Sequence, residues 1–83
     1  MARQGAADLG VIRTIVDKHL QRKVKVTDDM PLVSGGLIDS MSLIDVILDL
    51  EVATGIKIQP SEVEPEDFDS VTRIAATLQR FQA

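Results

Sequence analysis

The stretch Gly35-Gly36-Leu37-Ile38-Asp39-Ser40-Met41-Ser42-Leu43-Ile44-Asp45-Val46-Ile47-Leu48-Asp49-Leu50-Glu51-Val52-Ala53-Thr54-Gly55 decides the fold. Within it Leu43, Val46, Ile47, Leu50 and Thr54 recur at helical spacing, which predicts a helix over 40–54 with those residues facing inward. Asp39 and Ser40 are both N-cap residue types. Gly55 is placed to close the helix in the left-handed conformation that only glycine adopts freely. Met41, Ile44, Leu48 and Val52 form a second apolar stripe, and Asp45, Asp49 and Glu51 fall on the side expected to be more exposed. The helix is apolar over more of its surface than a core face needs.

Outward from this helix, two more are predicted. Over 8–22, Leu9, Ile12, Ile15, Val16 and Leu20 recur at steps of three, one and four behind a candidate N-cap at Asp8. After Ser70, another N-cap type, Val71, Ile74, Ala75, Leu78 and Phe81 share one face. Residues 23–38 read as a long loop. Val24 and Val26 alternate with lysines but have no partner strand, Met30-Pro31 demands extended backbone, and Leu32, Val33, Leu37 and Ile38 pin the loop to the core. Ile56-Lys57-Ile58 is a short extended link, and residues 61–68 hold one irregular helical turn bracketed by Pro60 and Pro65. The expected architecture is all-α: a four-helix bundle of three main helices, a short third one, and a long loop between the first two.

The 83 residues read as one domain with a core over about 8–82 and a small stability margin. There is no cysteine, hence no disulfide and no thiolate ligand or nucleophile. No apolar run has the length of a signal sequence or a membrane span, so a soluble, cytoplasmic protein is expected. Two phenylalanines are the only aromatics, which leaves almost nothing for nucleic-acid bases to stack on. The net charge is −4, but residues 28–70 carry eleven acids against one base, Lys57. Such a field repels nucleic acid and draws basic protein patches. His19, the one histidine, has no second ligand nearby in sequence and reads as a surface or partly covered side chain.

The chemistry gathers at Ser40. It is a serine at a helix N-terminus, behind a glycine pair and beside an acid, where unpaired N–H groups and the helix dipole favour a phosphate ester. A serine-hydrolase reading fails because there is no G-x-S-x-G and His19 sits on a different helix.

Asp39-Ser40-Met41, the apolar and acidic helix 42–51, Gly55-Ile56-Lys57-Ile58 and Phe68-Asp69-Ser70-Val71 together resemble the acyl carrier protein family, most specifically over residues 35–75. The resemblance implies a bundle that becomes active by modification. A phosphopantetheinyl transferase places 4'-phosphopantetheine on Ser40, with Asp39 helping to organise that enzyme's Mg²⁺. The chain itself is then not an enzyme and holds no metal. It carries acyl intermediates as thioesters on the arm, which gives a chain without cysteine a working thiol. The resemblance also assigns partner recognition to Met41, Ile44 and Leu48 as apolar contacts and to Asp45, Asp49 and Glu51 as partners for basic patches. The partners are the transferase, an acyl- or aminoacyl-loading ligase and downstream synthases or transferases, met by a monomeric carrier. The approach Gly36-Leu37-Ile38-Asp39-Ser40-Met41, with Thr54 where the family often has phenylalanine and Val52 where an acid is expected, departs from the carriers of bulk fatty acid synthesis. It looks more like D-alanyl, peptidyl and polyketide carriers. Acyl cargo is the first reading, and an aminoacyl or peptidyl cargo of D-alanyl type is the alternative. A different class, an unmodified helical interaction module, is disfavoured by the intact Asp39-Ser40. A last expectation concerns enclosure: the inward row Leu43, Val46, Ile47, Leu50 and Thr54 faces Val71, Ile74, Ala75, Leu78 and Phe81 of the last helix, and small residues at Thr54, Ala75 and Ala76 leave room for apolar cargo between them.

Overall fold

The computed structural model describes residues 9–20 and 23–82. Three α-helices, α1 (Leu9–Lys18), α2 (Ser40–Thr54) and α3 (Val71–Phe81), are joined by loops and two short 3₁₀ turns. Among the described residues there is no strand. The all-helical fold is the one expected.

The α1 helix is shorter than its periodicity suggests. It ends at Lys18, where the His19 N–H bonds back to the Val16 carbonyl at 2.9 Å and tightens the last turn. Leu20 still packs on the core from beyond the helix end. The candidate cap Asp8, and residues 21 and 22, lie outside the described residues. Within α1, Ile12, Ile15 and Val16 are buried.

The α2 helix has the predicted bounds and both predicted caps. Asp39 is the N-cap and Ser40 the first helical residue; Gly55, at φ 73°, sends its N–H to the Glu51 carbonyl at 2.9 Å. Leu43, Val46 and Leu50 are buried, with Ile47 and Thr54 half-buried beside them. In α3, Ser70 caps the start by accepting the Arg73 N–H at 3.1 Å. Thr77 joins the apolar face and is itself buried. Its hydroxyl lies 3.0 Å from the Asp67 carbonyl and 2.9 Å from that of Arg73, so this polar atom is satisfied where it sits.

The single short helix expected at 61–68 is instead two 3₁₀ turns, Pro60–Glu62 and Pro65–Phe68. Each starts at a proline, which lacks the N–H needed to continue a preceding turn. The residue before each proline is forced out of the helical region: Gln59 has φ −87° and ψ 113°, Glu64 φ −128° and ψ 162°. The second turn buries Phe68 in the centre of the core.

Helix α1 packs against both α2 and α3, and the second 3₁₀ turn packs on α3 and touches α2. Among the described residues α2 and α3 make no direct backbone approach, so the face-to-face pairing expected of them is replaced by α1 and the Phe68 turn standing between them. Leu32, Leu37 and Ile38 of the long loop are as buried as the helical core residues. That loop is therefore a structural layer of the core, held by hydrogen bonds described below.

Candidate functional site

Ser40 is exposed at the first position of α2. Among the described residues no hydrogen bond holds its hydroxyl. The two neighbouring serines are differently placed. The Ser34 hydroxyl donates to Asp69 Oδ2 at 2.8 Å, and the Ser42 hydroxyl is engaged with the Asp39 carboxylate. Of the three, Ser40 presents its oxygen outward.

Asp39 is exposed, and its carboxylate closes the helix end. The Ser42 N–H donates to Asp39 Oδ1 at 2.8 Å. That N–H, joined by the Ser42 hydroxyl and more weakly by the Met41 N–H, holds the Asp39 carboxyl below the ordinary aspartate value despite some desolvation. This narrows one expectation. The N–H groups that a phosphate ester was to find unpaired are partly taken by Asp39, so a phosphodiester on Ser40 would stand beside the helix end without a full cradle of donors.

The loop leading to Ser40 is fixed by a residue that sequence reading did not single out. Asp69 accepts the Leu32 N–H on its backbone carbonyl at 2.7 Å. On Oδ1 it accepts the Val33 N–H at 2.7 Å and the Ser34 N–H at 2.8 Å. Desolvation works to raise its pKa, but the Ser34 N–H, the Ser34 hydroxyl and the Val33 N–H together hold the carboxyl below its ordinary value. Further along, the Leu32 carbonyl receives the N–H groups of both Leu37 and Ile38 at 2.9 Å. Gly36 turns the chain at φ 76°, and a side chain at Gly35 would collide with the Pro31 carbonyl, 2.3 Å from where its Cβ would stand. Glycine is required by the close approach at 35 and favoured by the left-handed backbone at 36.

The outer face of α2 carries the apolar stripe. Met41 is 75% exposed, Ile44 57%, Leu48 53% and Val52 85%. Asp45 is exposed beside them. The other two acids read as outward are partly used inside the fold. Asp49 Oδ2 bonds His19 Nε2 at 2.7 Å and lies 3.7 Å from the Lys18 ammonium, tying α2 to the end of α1. The His19 contact, with help from the Lys18 charge, holds the Asp49 carboxyl low. Glu51 Oε2 accepts the N–H of the buried Ile58 at 2.8 Å, a bond that fixes the link after α2. A histidine partner for Asp49 was foreseeable only from the tertiary contact of α1 with α2, since thirty residues separate the two.

Of the residues named for enclosing apolar cargo, Ala75 and Thr54 are half-buried. Ala76 is exposed, and the Thr54 hydroxyl donates to the Leu50 carbonyl at 2.6 Å in a locally satisfied helix turn. A surface cleft of about 340 Å³ lies elsewhere, between Val33 and Ser34 of the loop and Glu64, Pro65, Glu66 and Asp69. Among the described residues no His, Cys, Asp and Glu cluster has the arrangement of a metal site, and no helix is long and apolar enough to cross a membrane.

No family model matches the chain. Individual relatives do. The D-alanyl carrier protein of Lactococcus lactis subsp. cremoris strain MG1363 is 43% identical over 51 residues, covering 61% of this chain and 65% of that protein. The match thus spans just under two thirds of that relative's length. The D-alanyl carrier protein of Lacticaseibacillus casei strain BL23 is 29% identical over 73 residues, 88% of this chain and 90% of the relative. That of Streptococcus pyogenes serotype M1 is 28% identical over 68 residues, 82% and 86% respectively. These relatives bear out the resemblance drawn from residues 35–75.

Proposed function

We infer that this chain is a carrier of the acyl carrier protein family whose cargo is an aminoacyl group, held as a thioester on a 4'-phosphopantetheine arm at Ser40. The residues alone put acyl intermediates first and an aminoacyl cargo of D-alanyl type second. The relatives favour the second, since the three described above are D-alanyl carrier proteins. The observation that carries the reading is Ser40 itself: an exposed hydroxyl at the first residue of α2 with no hydrogen bond among the described residues, the serines on either side being held by Asp69 and Asp39.

The arm supplies the thiol that a chain without cysteine lacks. The chain's own residues attach it, display it and bring partners to it. Asp39 finishes the helix end under Ser40, and its exposed carboxylate, while holding the Ser42 N–H, would meet the Mg²⁺ of a phosphopantetheinyl transferase. Because Asp39 has taken the Ser42 N–H, little in the fold holds an anionic phosphodiester down, which suits an arm that must swing between enzymes. An aminoacyl ammonium gains nothing from apolar enclosure and is best left in water. That agrees with a carrier in which Thr54 is locally satisfied and Ala76 faces outward.

Met41, Ile44 and Leu48 provide the apolar contact for partners, and Asp45 provides the unencumbered charge among the three acids. Asp49 would serve partners while its Oδ2 is shared with His19 and Lys18, and Glu51 while its Oε2 holds the Ile58 N–H. The partners in this reading are the transferase, an aminoacyl-loading ligase and the enzyme that takes the cargo onward. The chain catalyses none of these steps, and acts as one monomeric carrier domain in the cytoplasm.

Intact mass after coexpression with a broad-specificity phosphopantetheinyl transferase tests the reading. The wild type should gain one phosphopantetheine and Ser40→Ala none, and the modified protein should accept D-alanine from an ATP-dependent D-alanine ligase. Modification at Ser34 or Ser42, or a wild type that stays unmodified, would refute it.

A further inference from the structure

We propose that Asp69 is a positioning residue for the modification of Ser40, an inference that rests on the carrier reading above. Asp69 lies twenty-nine positions from Ser40 in sequence, just before α3, yet it governs the segment from which Ser40 emerges. Its backbone carbonyl and both carboxylate oxygens take four donors from three consecutive residues: the N–H groups of Leu32, Val33 and Ser34 and the Ser34 hydroxyl, at 2.7–2.8 Å. The next step of the chain of contacts is the Leu32 carbonyl, which receives the N–H groups of Leu37 and Ile38. Ile38 is followed directly by the Asp39 cap and Ser40. A rigid line therefore runs from the start of α3, through a three-residue clamp, to the helix end that presents the hydroxyl.

The clamp answers a specific weakness. Between Ser34 and Leu37 the chain is Gly35-Gly36, the pair with most backbone freedom to lose on folding. Without the Asp69 carboxylate, the Leu32 N–H to the backbone carbonyl of residue 69, the Gly36 N–H to the Val33 carbonyl at 3.1 Å and the two bonds to the Leu32 carbonyl would remain to define the loop, and none of them holds the N–H groups of Val33 and Ser34. Being ionised, Asp69 makes shorter and stronger bonds than a neutral acceptor would. Its pKa, held down by those same donors, keeps it charged at neutral pH. Buried Leu32, Leu37 and Ile38 keep the loop on the core, while Asp69 sets where along it the Ser40 hydroxyl stands. Partner docking, by contrast, falls to the outer face of α2, so clamp and docking surface are separable in kinetics.

The test compares wild type, Asp69→Ala, Asp69→Asn and Ser34→Ala as acceptors for a broad-specificity phosphopantetheinyl transferase with coenzyme A, at varied carrier concentration. Folded fraction is measured by circular dichroism at the assay temperature, and amide exchange is followed at Leu37 and Ile38. Displacement of a reacting atom by 1 Å can cost about a hundredfold in rate, so a partly loosened hydroxyl in Asp69→Ala should lower kcat by about tenfold. KM should stay within about twofold, because the docking face is untouched. Asp69→Asn keeps Oδ1 for the two N–H donors and should recover kcat to within about threefold of wild type. Faster exchange at Leu37 and Ile38 should accompany the alanine change. Wild-type kcat in Asp69→Ala, a loss that the unfolded fraction fully accounts for, or an asparagine variant no better than alanine overturns the proposal. If Asp69→Ala does not fold, Ser34→Ala decides. It removes only the Oδ2 contact and should lower kcat about threefold; an unchanged kcat there overturns the proposal. A wild type that takes no arm at all sinks the carrier reading instead, and unchanged exchange at Leu37 and Ile38 in Asp69→Ala would then refute the clamp separately.

Discussion

Reversing the charge at Glu51 should unfold the protein more readily than reversing it at Asp45, although both acids sit on α2, the helix proposed to meet partners. Glu51 Oε2 accepts the N–H of Ile58, whose residue is 3% exposed. Lysine at 51 has no acceptor, so a buried backbone donor loses its partner, at a cost of about 2 kcal/mol. The new ammonium lies near the C-terminal end of α2 and gains about 0.5 kcal/mol from the helix dipole. The net loss is about 1.5 kcal/mol, which for a domain of this size lowers Tm by roughly 6–12 °C. Asp45 is exposed and makes no such bond among the described residues, and Asp45→Lys should stay within about 0.5 kcal/mol of wild type. Glu51→Gln, which keeps an acceptor oxygen, should fall between them. Thermal melts of the three variants and wild type in one buffer make the measurement, with amide exchange at Ile58 as a local reporter. If Glu51→Lys melts with Asp45→Lys, the Glu51–Ile58 bond carries no stability and the account of the link after α2 is wrong.

The remaining predictions concern charge. Asp39, Asp49 and Asp69 all have carboxyl groups held below the ordinary aspartate value of 3.8, so the stability they contribute is fully present above that value and is lost as pH falls through their lower folded values. Tm measured from pH 7 downward should be level in this respect until about pH 4 and then decline, and Asp69→Asn should make the decline shallower; an equally steep decline in that variant would show that Asp69 does not contribute. For partner capture, Asp45→Lys and added salt should each slow modification of Ser40 by a basic transferase while leaving the fold intact. Rates indifferent to both would place recognition off this face.

What could be read from the chain was what repeats or what caps. The bounds of α2 follow from Asp39 before it, Gly55 after it and the spacing of Leu43, Val46 and Leu50 between them; the start of α3 follows from Ser70. Each signal is local, lying within a turn or two of the feature it sets. The errors came where a distant partner decides. Periodicity could not show that α1 stops at Lys18, because the turn that ends it leaves Leu20 in contact with the core. Asp49 and Glu51 looked outward on a helical projection, but His19 and the Ile58 N–H reach them from other elements. Asp69 was visible only as part of a helix start, since a carboxylate that captures backbone N–H groups 35 and 36 residues away leaves no local pattern. Two prolines five positions apart did carry the information that 61–68 cannot be one helix, through the extended residue each requires before it.

Helix α2 also divides its residues between two kinds of inheritance. Positions 43, 46 and 50 are sealed inside, where a change of one methylene is felt by every packed neighbour. Positions 41, 44, 48 and 52 project from the same helix with more than half their surface open. They can drift in step with a partner enzyme while the interior stays as it is. On the proposed carrier reading, a saturation library across residues 40–54, sorted once for folding and once for loading, should therefore yield two interleaved and nearly disjoint sets of intolerant positions, so that a lineage could exchange a loading enzyme without first having to rebuild the interior.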